Sequence, residues 1–273
     1  MQTTLRSDEC HCREGNAMKK ATHLKAAVDV TPVLSPHPQL VLDRAIETLR
    51  IELGPIVSIS RRRAFAYEAR LRCEEPMLES AAHLLRATTV FGRRTEVGRR
   101  VRTLAAAAVD LAPTPFLFTP VDSADLLDSD LYDPASRLAR VARRVVLMLA
   151  DQVTLEDILD LDGRLADLRR LGFRLAIDGI GAGPSGLAGC AVLSPDFVRL
   201  DPSLLQGIHR SASRRLLVRG LCGMFHHLGT MVIATGVESP AECDIVAALG
   251  CDLAQGALFK TLATAQAVSG RVA

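Results

Sequence analysis

The chain reads as an α/β protein, a (β/α)8 TIM-type barrel. Apolar runs of strand length alternate with segments of helical period, at intervals that fit βαβ units and hence a parallel sheet. The length, 273 residues, is near that of one such barrel. The stretch from Gly172 to Pro202 reads as a strand, a glycine-rich turn, a short helix and a strand. Asp178 stands at the end of its first strand, followed by Gly179, Gly181, Gly183 and Gly186. A carboxylate at a strand end, facing a loop, is where barrels of this kind keep their chemistry. Glycine that dense marks backbone that needs positive φ or close approach. The competing reading of the stretch is an ordinary βα turn whose Asp caps the next helix. A doubly wound open sheet is the alternative fold. No G-x-G-x-x-G follows the first strand with an acidic residue downstream, which counts against dinucleotide binding.

Composition narrows the function classes. Hydrophobic residues make up 48% of the chain, enough for a sizeable aliphatic core, and Trp is absent. Lys and Arg number 33 against 31 Asp and Glu, a net charge of +2, so no DNA, RNA or anionic membrane partner is indicated. The doubled arginines (Arg93-Arg94, Arg99-Arg100, Arg143-Arg144, Arg169-Arg170, Arg214-Arg215) read as solvated helix faces. No apolar run reaches the ~18 residues of a spanning helix. Leu104 to Ala112 is the nearest, and Asp110 breaks it. With no signal-peptide core at the start, the expected location is cytoplasmic. Seven cysteines, an odd number spread along the chain, do not make a disulfide framework. Cys73, Cys190, Cys222, Cys243 and Cys251 read as small buried residues. Cys10-His11-Cys12 lacks the second pair that would make a convincing metal site.

Taken in order, residues 1–38 read as a disordered leader, with Met18 an alternative start, and 39–273 as the barrel domain. Leu42, Ile46, Leu49 and Leu53 stand at helical spacing, which predicts a helix over Leu40–Leu53 ended by Gly54. Pro55–Ile59 and Ala64–Tyr67 read as two strands around the basic turn Arg61-Arg62-Arg63, close enough to pair antiparallel, with Glu68 at the end of the second. Ala81–Thr88 and Thr95–Leu111 are helical. Phe116–Phe118 is a short strand, and Leu126–Leu131 is a turn or short helix. Val145–Leu149 is a strand apolar on both faces. Leu155–Leu171 is a helix stopped by Gly172. Phe173–Ile177, interrupted by Arg174, and Phe197–Leu200 are strands. Ser213–Leu228 is a helix, Met231–Ala234 a strand, Pro240–Leu249 a helix and Ala254–Phe259 the last strand. His226-His227 are adjacent rather than four apart, so they do not read as a metal pair.

With these segments placed, the chain resembles an EAL domain, the family of cyclic di-GMP phosphodiesterases, from about Leu40 to its end. Tyr67-Glu68-Ala69-Arg70-Leu71-Arg72 is similar to the Glu-Ala-Leu-Leu-Arg signature. Asp125-Leu126-Leu127-Asp128 is similar to the tail of the Asn-containing motif. Ala176 to Gly183 resembles the Asp-Asp-Phe-Gly-x-Gly turn, and Phe197 to Asp201 the Lys-hydrophobic-Asp strand. Ala234-Thr235-Gly236-Val237-Glu238 resembles Ala-Glu-Gly-Val-Glu, and Gln255 to Phe259 resembles Gln-Gly-Tyr-x-Phe. The resemblance implies a barrel with one antiparallel strand and hydrolysis of a cyclic dinucleotide to its linear form by two Mg²⁺ or Mn²⁺ ions.

The same resemblance shows what is missing. Glu68, Asp178 and Gln255 are retained. Arg72 matches a position that contacts nucleotide, and Arg199 replaces the Lys that helps place water, keeping charge but not a removable proton. The metal-binding Asn falls at Pro120, a Glu at Met148, the second Asp at Gly179 and another Glu at Thr235. The loop Tyr falls at Pro184. Hard cations need oxygen ligands, and a thioether is a poor one. The loss of these groups implies a rate penalty beyond ~10⁴-fold. Asp122 is the one neighbour on the right face to stand in, while Asp151, three past Met148, faces the other way. The expectation is therefore a catalytically inactive domain without a metal cofactor. It would act on a protein partner ahead of cyclic di-GMP, with a homodimer implied as an option. The alternative is a working phosphodiesterase with a rearranged metal site. Each retained residue also has a plain structural reading: Glu68 held by Arg72, Asp178 capping its turn, Asp201 and Glu238 structural, and Gln255 satisfying backbone.

Overall fold

Eight strands close on themselves, and only the first runs against the others. The computed structural model describes residues 38–78, 80–150, 158–182, 186–262 and 267–269. A hairpin opens the barrel: β1 (Arg50–Ser58) and β2 (Arg63–Arg72) pair antiparallel around the basic turn. The strands β3 (Phe116–Val121), β4 (Val145–Ala150), β5 (Arg174–Ile180), β6 (Phe197–Leu200), β7 (Met231–Thr235) and β8 (Leu253–Gln255) then follow β2 in parallel. β8 pairs antiparallel with β1 and closes the ring. A further strand not foreseen from sequence, β9 (Ala267–Ser269), adds to the outer edge of β1.

Helices cover the outside: α1 (Pro38–Glu47), α2 (Ala81–Val90), α3 (Arg94–Val109), α4 (Ser123–Leu127), α5 (Leu161–Leu171), α6 (Gly186–Leu193), α7 (Pro202–Leu205), α8 (Ala212–His227) and α9 (Pro240–Ala248). None of the described helices is long and apolar enough to cross a membrane. Pro38, assigned to the leader, opens α1; the rest of that leader, including Cys10 and Cys12, lies outside the described residues.

Several boundaries differ from expectation: the second strand, expected over Ala64–Tyr67, runs from Arg63 to Arg72. The first helix ends at Glu47, not at Gly54. Leu49, Ile51 and Leu53 are all buried while Glu52 is exposed. That is the two-residue period of a strand, and the coincidence of Leu49 and Leu53 with helical spacing hid it. The last barrel strand stops at Gln255, not Phe259. There the chain turns into a 3-10 segment, Ala257–Leu262, with Leu258 N–H donating to Val237 O. Gly256 lies so close to the Val237 backbone that no Cβ fits. The helix expected from Leu155 is described from Leu161.

The barrel interior is filled by Ile56, Ala66, Phe118, Val146, Met148, Ala176, Phe197, Ile233 and Leu253, the inward residues of successive strands in layers. Phe118 meets Phe197 edge-on at 5.0 Å between centroids. Arg174, the interruption in its strand, lays its guanidinium 4.2 Å from the Phe116 ring centroid, so a charged residue is tolerated at the barrel's far end.

Candidate functional site

Four side chains at the C-terminal end of the barrel are polar: the retained Glu68, Asp178 and Gln255, and Arg199 in place of Lys. β2 carries Glu68, β5 Asp178, β6 Arg199 and β8 Gln255. Register sets Asp178 beside Arg199 and Thr235 beside Gln255. These four come together as the sequence motifs imply. Arg199 donates from Nε and Nη2 to the two Asp178 oxygens. Its Nη1 donates to Glu68 Oε1 at 2.6 Å and to Gln255 Oε1 at 3.2 Å. Gln255 Nε2 in turn donates to Glu68 Oε2 at 2.7 Å. One guanidinium thus ties β2, β5, β6 and β8 together across the mouth.

Burial and charge act in opposite directions here. Burial pushes the Glu68 carboxyl up, but the charge and hydrogen bond of Arg199, followed by those of Arg70, outweigh it, so its pKa is lowered. Burial likewise works against the Arg199 proton, and the charges and hydrogen bonds of Glu68 and Asp178 more than reverse that. Both groups are held charged.

The partner of Glu68 on its own strand is Arg70, with Nε 3.0 Å from Oε2, and not Arg72. Arg72 turns to Glu52, at 2.9 Å, and joins the site only as part of the cleft wall. Residues i, i+2 and i+4 of a strand share a face, so alternation from Glu68 already pointed to Arg70. Gly54, opposite Glu68 in register, leaves the room through which the Arg70 side chain passes.

The remaining positions offer little to a hard cation. Pro120 and Met148 are register partners, so one side of the mouth is a hydrocarbon and thioether wall. Gly179 has φ +86° and sits at a register shift between β5 and β6, a conformation glycine adopts without strain. Thr235 is buried and donates its hydroxyl to Leu200 O at 2.6 Å. Asp122 does not stand in for the lost Asn. Its Oδ1 accepts from Ala124 and Asp125 N–H as the cap of α4, and Arg94 binds Oδ2. Asp201 caps α7 through Ser203 N–H, and Glu238 is exposed. Among the described residues, no group of three His, Cys, Asp or Glu is placed to hold a metal ion. His226 pairs instead with Asp252, at 3.0 Å. Pro184 and Asp151 lie outside the described residues. The residues present therefore do not fit a centre of two divalent cations.

Beside this cluster opens a cleft of about 650 Å³. β2 pairs with β3 only from Ala66 to Glu68, and the cleft occupies the gap beyond, with Leu71, Val97, Val101 and Val121 among its apolar walls.

Next to it, a second cluster went unforeseen. Arg102, on α3, donates to Asp125 and Asp128, and to Asp130 at 3.2 Å, while Arg99 binds both oxygens of Asp128. Gly98 makes room for the Asp125 carboxylate. So Arg94 and Arg99, read as solvated, are paired to carboxylates, because α3 packs against α4 and the turn after it.

An EAL domain model matches residues 41–261 of the chain. A cyclic di-GMP phosphodiesterase of Pseudomonas aeruginosa is 27% identical over 143 residues, 51% of this chain and 24% of that protein. The blue light- and temperature-regulated antirepressor BluF of Escherichia coli is 25% identical over 121 residues, 44% of this chain and 30% of BluF. A manganese and cyclic di-GMP complex of Klebsiella pneumoniae BlrP1 superposes with a TM-score of 0.64 at 25% identity, covering 77% of this chain and 55% of that one. The chain spans between 13% and 30% of the length of the curated relatives it matches.

Proposed function

The chain belongs to the EAL domain family, and on that premise we propose that it is a non-hydrolytic member that acts by binding, its partner a protein, a second copy of the chain included. One observation carries the reading. Arg199 already pairs with both Glu68 and Asp178, the two carboxylates that the family resemblance assigns to cation-assisted hydrolysis. Its guanidinium does not give up a proton, so it does not replace the missing Lys as a proton-transferring group. The wall of Pro120 and Met148 supports the same reading, since it supplies no oxygen to a second cation. No cofactor is part of this function.

Protein stands ahead of nucleotide on charge. The cleft is lined by four arginines (Arg70, Arg72, Arg94, Arg199) and four carboxylates (Glu68, Asp122, Asp125, Asp178). A dianionic ligand meets no surplus of positive charge there. Exposed Leu187 and Val192 on α6, Met224 on α8 and Leu228 just after it offer apolar contact to a protein surface. One relative, BluF, is named an antirepressor, and a regulatory role is what the proposal gives this chain. The second reading is cyclic di-GMP binding without cleavage, favoured by the Arg72 and Arg94 side chains, each about a third exposed at the cleft.

Purified protein incubated with cyclic di-GMP and Mn²⁺, followed by chromatography of the nucleotides, is expected to yield no linear product. Turnover that vanishes in Glu68→Gln refutes the proposal and establishes a rearranged phosphodiesterase. Calorimetric titration in the same samples ranks the ligands. Micromolar nucleotide binding that Arg72→Ala abolishes places the second reading first.

A further inference from the structure

From the same barrel mouth we infer that Arg199 is a built-in cation: the site is filled by the chain's own guanidinium, and Glu68, Asp178 and Gln255 regain the capacity to take up a divalent ion once it is removed. The inference deepens the non-hydrolytic reading and rests on it for its setting, but it fails or stands by a different measurement.

Three features support it. First, the guanidinium is used almost to capacity. Of its five N–H groups, four are engaged, two on Asp178, one on Glu68 and one on Gln255. Second, it is shared. Any cation touching both carboxylates has to enter the space between them, and the guanidinium occupies it. Asp178 binds it through both oxygens, a fork-to-fork pairing of the kind only Arg offers. Third, the neighbours that remain are hard-oxygen donors. Glu68 Oε1, both Asp178 oxygens and the Gln255 carboxamide oxygen face the guanidinium, while Glu68 Oε2 is held by Arg70 and Gln255. These suit Mn²⁺ or Mg²⁺ far better than the Pro120 and Met148 side of the mouth does. Arg70 stays on Glu68, so removing Arg199 leaves the three charged groups Glu68, Asp178 and Arg70 with a net charge of −1, enough to attract a cation but not to hold two.

Mn²⁺ alone is the probe, because its free ion is read directly by electron paramagnetic resonance. Wild-type protein is expected to leave the free Mn²⁺ signal unchanged, and its melting midpoint should not move with the metal. Arg199→Met keeps an unbranched apolar stem and discards the charged head. It should melt lower by on the order of 5 °C, take up one Mn²⁺ per chain, and recover part of its midpoint as the metal is added. Adding Glu68→Gln and Asp178→Asn to Arg199→Met should abolish uptake. A folded Arg199→Met that takes up no Mn²⁺ overturns the inference, and so does wild-type uptake that Glu68→Gln removes. Should Arg199→Met not fold, Arg199→Lys carries the test. An ammonium spans fewer of these acceptors than the fork does, so its midpoint must fall below wild type, and equal midpoints overturn the inference. Nucleotide turnover by the wild type sinks the non-hydrolytic reading whatever the Mn²⁺ data show; failed metal uptake by Arg199→Met leaves that reading standing.

Discussion

Two arginines in this molecule each serve several carboxylates, and they do so under different conditions. Arg102 is sealed, its side chain 3% exposed, with Asp125 and Asp128 at 8% and 3%. Arg199 is 14% exposed and its partner Asp178 30%, at the edge of an open cleft. The partners of Arg102 come from a helix and the turn after it, so that cluster fastens α3 to the segment Asp122–Asp130. The partners of Arg199 come from barrel strands at the end where this fold keeps its chemistry. The same ion-pair chemistry is a structural bolt in the first place and, on our proposal, an occupied ligand site in the second. Solvent access separates them, because a charge beside water loses less when its partner is removed.

That comparison breaks most readily by removing each arginine in turn. Arg102→Met leaves the buried Asp125 without its counter-charge and Asp128 with Arg99 alone, and should lose about 3–5 kcal/mol, against about 1–3 kcal/mol for Arg199→Met. Urea unfolding of the two variants gives the order directly. Equal losses, or a larger loss at Arg199, would erase the distinction.

The pH dependence sharpens it. Burial pushes Asp125 up to about 6, while the charge of Arg102 pulls the other way. A carboxyl whose folded pKa lies above its ordinary value of about 4 favours the folded state when protonated. Its contribution is complete below pH 4 and is lost as pH rises through 6. Glu68 and Asp128 are lowered, so they have the opposite sign, and their contributions fade only as pH falls below the ordinary carboxylate range. Between pH 4.5 and 7 the difference between wild type and Asp125→Asn therefore isolates Asp125. The wild type should lose about 2 kcal/mol relative to the variant across that range. Parallel urea-midpoint profiles for the two proteins would show that Asp125 stays ionised throughout.

The smallest effect tests how tightly the bolt is packed. In a helix interior, Gly→Ala ordinarily stabilises by about 0.5–1 kcal/mol. At Gly98 a Cβ runs into the Asp125 carboxylate, itself held by Arg102. Gly98→Ala should therefore reverse the usual sign and lose about 1–2 kcal/mol. A stabilised variant would mean the carboxylate has room to move.

Much of the mouth was readable in advance. Asp178, Arg199 and Gln255 stand within two residues of their strand ends and Glu68 ends the pairing of β2 with β3; motif and apolar run place each, and parallel pairing brings such positions to one level. Arg72 was singled out where Arg70 makes the contact, although both share the Glu68 face, because alternation assigns a face and not a reach. Which arginine bends back depends on the space that Gly54 leaves across the hairpin. Asp122 was a plausible substitute oxygen by position, and it is consumed by a helix cap and by Arg94, neither of which is a property of its own strand. The pairs from Arg102 to Asp125 and Asp128 span 23 and 26 residues, with no local signal at either end.

The amino-acid order by itself determined the alternation of strands and helices, the antiparallel first hairpin and the loss of oxygen ligands at Pro120, Met148, Gly179 and Thr235. These follow from local periodicity and from side-chain chemistry, which need no neighbours to be read. Only the closed barrel decided that Arg199 sits on both remaining carboxylates, and that Arg102 is buried while Arg72 is not. Those outcomes depend on distances between strands and helices far apart in the chain, and on how much water reaches each charge once the ring has closed.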